Sequence, residues 1–76
     1  MHVEVITPNK TLFKGELNLI KVPGIDGSFE ILNHHAPLVS ILSKGELKLV
    51  GDKIEKIQIN GGVIEVNNNN VKILAE

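Results

Sequence analysis

Two adjacent histidines, His34 and His35, stand just before Ala36-Pro37 in the stretch DGSFEILNHHAPLVSIL, residues 26 to 42. Imidazole is the commonest neutral metal ligand, so the pair first suggests a metal centre. Adjacent residues on extended backbone point to opposite sides, however, and no third ligand stands at a diagnostic spacing. Asp26, His35 and Ser40 are the residue types of a hydrolytic triad. No G-x-S-x-G elbow surrounds Ser40 to expose a nucleophile, and such coincidences of type are common. Pro23-Gly24-Ile25-Asp26-Gly27 bears glycines but neither the lysine nor the Ser or Thr of a phosphate-binding loop, and it reads as a tight turn. Asp52-Lys53 sits at a turn signal between Val50 and Ile54, as the modified lysine of lipoyl-type carrier domains does at an exposed hairpin. Gly51-Asp52 accounts for that turn without any modification, so a carrier modified at Lys53 is the alternative reading.

The elements that must position these residues are strands. Val3 and Val5 alternate with His2 and Glu4, Leu47 and Leu49 with Glu46 and Lys48, Ile57 and Ile59 with Lys56 and Gln58, and Val71 and Ile73 with Lys72. A period of two places alternate side chains on one core, and no segment sustains a helical period. Turn signals punctuate the runs at Pro8-Asn9, Lys14-Gly15, Pro23-Gly24, Asp26-Gly27, Lys44-Gly45, Gly51-Asp52, Gly61-Gly62 and Asn67 to Asn70. Short strands at such spacing predict a sandwich or barrel of antiparallel strands. The asparagine tract fits a hairpin loop, because Asn tolerates left-handed backbone angles. Gly61-Gly62 interrupts an otherwise continuous strand pattern and is read as a bend carrying the chain from one sheet to the other.

Composition narrows the function classes. The 76 residues form one domain, 1–76, and 42% hydrophobic content supplies an aliphatic core. Eight basic against nine acidic side chains, with no run of either sign, give no footprint for nucleic acid. Two phenylalanines without Tyr or Trp leave no stacking platform for bases. The absence of cysteine excludes disulfides, thiolate metal sites and a cysteine nucleophile. No apolar run approaches the roughly 18 residues of a membrane span, so any work at a membrane goes through a partner.

Pro23-Gly24, Gly27, the strand Phe29 to Leu32, His35-Ala36-Pro37-Leu38, Leu42 and Gly45 together resemble the amino-terminal domain of the epsilon subunit of F-type ATP synthase. Gly61-Gly62-Val63-Ile64-Glu65-Val66 and Val71-Lys72-Ile73-Leu74-Ala75 resemble the final strands of that family, and His2 to Phe13 with Gly15 its first hairpin. The family often has Gly at the position of Glu30 and Pro-Gly at Asn33-His34. The resemblance implies an all-β, flattened β-sandwich of about ten short antiparallel strands in two sheets. It implies a non-catalytic rotor subunit without cofactor or metal, coupling the gamma subunit to the membrane c ring of a proton-translocating ATP synthase. Membrane association would be peripheral, through partners, on the cytoplasmic face of the cell inner membrane. A loop bearing Asp26, Gly27, Ser28 and the segment Asn33, His34, His35, Ala36 and Pro37 would face the c ring, and another surface would grip gamma. Family members typically continue past this point into an inhibitory helical hairpin, so a chain ending at Ala75-Glu76 is expected neither to inhibit by helix insertion nor to bind ATP there. Pro37 fixes one backbone angle and biases Ala36 toward extended geometry, which suits a preorganised docking edge.

Overall fold

A computed structural model describes residues 1–76 as nine strands with no helix. They are β1 (His2–Ile6), β2 (Thr11–Glu16), β3 (Leu19–Gly24), β4 (Gly27–Leu32), β5 (Leu38–Leu42), β6 (Gly45–Val50), β7 (Ile54–Ile59), β8 (Gly62–Asn67) and β9 (Asn70–Ala75). The all-β reading holds, with nine strands where about ten were expected. Two of the turn signals, Lys14-Gly15 and Pro23-Gly24, lie inside β2 and β3.

The strands form one continuous nine-stranded sheet, β2-β1-β9-β8-β5-β3-β6-β7 with β4 paired to β3, which curls into two halves, a sheet of five strands, β2-β1-β9-β8-β5, and a sheet of four, β4-β3-β6-β7. Hydrogen-bonded pairing passes between them at a single residue pair, Gly24 with Leu42. Pro23 marks the change of partner. Lys21 still pairs with Lys48 of β6, whereas the Pro23 carbonyl accepts the Ser43 N–H at 2.7 Å and the Ile25 N–H donates to the Ile41 carbonyl at 3.0 Å. Proline has no N–H to offer a ladder, so it is tolerated where the strand leaves one neighbour for the next. One pairing departs from the antiparallel expectation: β1 runs parallel to β9, from His2 with Asn70 to Ile6 with Leu74. Alternation along a strand is the same in either direction, so the pattern could not show it.

The period-two residues fill the space between the sheets. Val3, Val5, Leu47, Leu49, Ile59, Val71 and Ile73 are buried as the alternation requires, and Ile57 is half-buried against them. Ile20, Ile31 and Ile64 complete the centre of the core, and no polar or charged side chain is buried. Each such aliphatic side chain contributes about 1.5–3 kcal/mol of burial free energy. Gly61 and Gly62, at φ 140 and 150, carry the chain from β7 in the second sheet to β8 in the first. Close packing also holds Gly62 to glycine, since a Cβ there would run into the Leu74 carbonyl oxygen.

Candidate functional site

The opening stretch lies along an open edge. Ile25 and Asp26 form the turn between β3 and β4, and Gly27 closes it at φ 128, an angle that glycine adopts without strain. β4 then pairs with β3 alone, so its other side is unpaired over Gly27–Leu32. Beyond Leu32, Asn33 and His34 turn the chain, with the His35 N–H donating to the Leu32 carbonyl at 3.2 Å. Asp26, Gly27 and Ser28 therefore do not share one loop with Asn33 to Pro37. The length of β4 separates the two groups, roughly 17 Å at the usual rise per residue. Gly27, Ser28, Asn33, His34, Ala36 and Pro37 are exposed and His35 is half-buried.

The second group is tied down from two distant places. The Met1 amino group donates to Asn33 Oδ1 and, at 3.0 Å, to the Leu17 carbonyl. The His34 N–H donates to Asn69 Oδ1 at 2.8 Å, and His34 itself sits at φ 64. His35 Nδ1 donates to the Ala36 carbonyl at 2.7 Å. A shallow hollow results, lined by His34, His35, Ala36, Pro37, Asn68 and Asn69.

No chemistry assembles around these groups. No three of the His, Asp and Glu side chains converge as metal ligands would. Asp26 lies at the opposite end of β4 from His35, and Ser40 sits within β5 opposite Ile64, so the three triad types are apart. Asp52 and Lys53 occupy an exposed bend closed by the Gly51 N–H donating to the Lys53 carbonyl at 3.0 Å.

Across the outer face of the five-stranded sheet, side chains fall into bands set by strand register. Glu4 pairs with Lys14 on one side and Lys72 on the other, and Lys72 with Glu65, giving alternating charge. One step along, Ile6 pairs with Leu74, Leu74 with Val63 and Val63 with Ile41. This aliphatic row is continued by Ile25, whose N–H bonds to Ile41. Ile41 and Ile25 are 57% and 61% exposed, far beyond core values. The contact of the β8–β9 turn with the His34 loop, through Asn69, and the aliphatic row were both missed in the sequence. The row had a signal: Val5-Ile6, Ile41-Leu42, Val63-Ile64 and Ile73-Leu74 are adjacent apolar pairs, and in a strand one member of each pair must face outward.

Comparison with known proteins agrees with this architecture. A family model for the beta-sandwich domain of the ATP synthase delta/epsilon chain matches residues 1–76. The chain belongs to that family. It is 47% identical to the ATP synthase epsilon chain of Leptospira borgpetersenii over all of its own length and 61% of that relative's. It is 41% identical to the epsilon chain of Chlorobium limicola, covering 97% of itself and 86% of the relative. The fold is shared with a chain in the mitochondrial ATP synthase central stalk and c ring of Tetrahymena thermophila, with a TM-score of 0.84, 23% identity and coverage of 97% and 61%. A chain in the Euglena gracilis mitochondrial ATP synthase gives a TM-score of 0.89 at 23% identity, with coverage of 96% and 48%. The chain thus spans about three-fifths of the length of its Leptospira relative. With the family known, the Lys53 carrier reading, which rested on one dipeptide at a turn, is set aside.

Proposed function

We propose that this domain is the coupling element of the rotor stalk in a proton-translocating F-type ATP synthase, joining gamma to the c ring without chemistry of its own. The observation that carries the proposal is the division of its surface. One edge, β4 with the turns at either end, is open and mixed in character, with Ser28, Glu30, Asn33 and His34 exposed beside Leu32, and an adjoining face bears an aliphatic row across four strands. A part held between two partners needs two surfaces of different character. The edge from Asp26 through Ser28 to Asn33, His35 and Pro37 suits the polar loops of a c ring. The row from Ile6 to Ile41 suits gamma, because a contiguous exposed apolar face marks a surface for a partner to cover. Torque passes between them through strands locked into two packed sheets, which resist bending better than isolated hairpins. The domain would then sit peripherally at the cytoplasmic face of the inner membrane, held there by its partners.

The test is assembly of the complete enzyme. Ser28→Arg with His35→Glu should leave the chain folded and the stalk weakly coupled, with ATP hydrolysis no longer driving full proton pumping. A fully coupled enzyme carrying both substitutions would reject this edge as the c-ring surface.

A further inference from the structure

We infer that Asn69 is a positioning residue for the docking edge, holding the Asn33–Pro37 loop from the neighbouring hairpin. The inference rests on the docking-edge reading above and adds to it a residue from the other end of the chain. Asn68 and Asn69 are the two central residues of the β8–β9 turn, at φ 50 and 60, between the paired Asn67 and Asn70. Positive φ at both positions is the backbone that suits the right-handed twist of a hairpin, and glycine is the favoured residue at the second. Asn at that position accepts a conformational cost that glycine avoids.

The contacts of Asn69 account for its presence. The other polar groups of this turn serve the hairpin itself: Asn70 Nδ2 donates to the Asn68 carbonyl at 2.9 Å. Asn69 alone reaches out of it, with Oδ1 accepting the His34 N–H at 2.8 Å across 35 positions of sequence. Its carbonyl accepts the His2 N–H at 3.0 Å, and Asn69 is half-buried where Asn68 is exposed. The amide it holds belongs to His34, a non-glycine residue in the left-handed region, where an L side chain carries a conformational cost. Without this acceptor the His34 backbone gains by relaxing toward negative φ, and the direction of His35, Ala36 and Pro37 changes with it. The hydrogen bond therefore fixes the shape the loop presents and contributes little to the core.

The experiment compares Asn69→Gly, Asn69→Asp and His35→Glu in the full-length subunit, read by thermal melting, by hydrogen exchange in peptides covering residues 33–37, and by affinity for the purified c ring with gamma. Asn69→Gly should melt at or above the parent temperature, since glycine suits the turn. Its loop should exchange faster, and its affinity should fall about five- to tenfold, as expected for one lost hydrogen bond. Asn69→Asp keeps the acceptor and should restore both loop protection and affinity to within about twofold of the parent. Unchanged exchange in Asn69→Gly overturns the tether. Unchanged affinity in Asn69→Gly, while His35→Glu abolishes binding, overturns the positioning role and leaves the docking edge standing. Unchanged affinity in His35→Glu as well removes the docking-edge reading and the inference with it.

Discussion

Gly24 faces Leu42 across the one residue pair that joins the two sheets. A Cβ at Gly24 would stand 2.5 Å from the Gly27 carbonyl oxygen and 2.7 Å from the ring of Phe29. The join is thus built on a residue where a Cβ has no room, in the strand that leads directly into the open edge strand β4.

Gly24→Ala should therefore destabilise the fold by about 1–3 kcal/mol, the usual cost of forcing extra volume into a packed site. Urea unfolding followed by circular dichroism measures it. A parent-like midpoint would mean that the Phe29 ring, which is only half-buried, moves aside without cost.

Gly62 and Gly27 separate steric cost from backbone cost. Both have positive φ, 150 and 128, but a Cβ at Gly62 meets the Leu74 carbonyl and one at Gly27 meets nothing within 4 Å. Gly27→Ala should cost backbone strain alone, about 1–3 kcal/mol, and Gly62→Ala that strain plus about 1–3 kcal/mol of overlap. Paired thermal melts decide the order. Equal losses at the two sites would show that β9 shifts freely away from β8.

Much of this architecture is legible in the sequence. Val3, Val5, Leu47, Leu49, Val71 and Ile73 gave the inward face because the strand period is two and only one face of each sheet meets the core. The Asn67 to Asn70 tract was legible as a turn because Asn tolerates positive φ, although the loop proper is only Asn68 and Asn69. Strand order was not legible. That β1 lies parallel to β9 follows from packing across the whole chain, and it is this order that brings Asn69 beside His34 and lines up Ile6, Leu74, Val63 and Ile41. The two groups expected to dock, Asp26 to Ser28 and Asn33 to Pro37, were placed in one loop, whereas they lie at opposite ends of β4. Turn signals locate the ends of a strand without saying that six residues of extended backbone, Gly27–Leu32, keep those ends apart.

Ile64 and Val63 are neighbours in sequence and opposites in the fold. Ile64 is fully buried, whereas Val63 is half-buried on the outer face. Ile64→Ala should cost about 2–5 kcal/mol through lost burial and the cavity left behind. A small domain has modest stability to begin with, so this loss should unfold a large fraction of the chain. Val63→Ala should cost less than about 1.5 kcal/mol, since the site is already partly solvated. Chemical denaturation of the two variants side by side checks the assignment of faces. Similar losses would mean that the outer face is covered in the isolated chain.

The aliphatic row makes the last prediction. Ile41 is 57% exposed at the end of a row that crosses four strands, so the domain leaves more than half of it open to water. Ile41→Asp places a charge on a face already open to water, so the folded chain should lose at most about 0.5 kcal/mol, as surface changes usually do. If gamma covers the row, the same carboxylate becomes buried in the assembled stalk without a partner. An unpaired buried charge is strongly destabilising, and interface residues that leave one typically cost 2–5 kcal/mol or more. The stalk should then assemble with an affinity for gamma lower by roughly two orders of magnitude or more, against a melting temperature close to that of the parent. Ile41→Val, which keeps the surface apolar, should retain binding. Full binding by Ile41→Asp would move the gamma contact away from this row, and an equal loss in Ile41→Val and Ile41→Asp would trace the effect to shape rather than to desolvation.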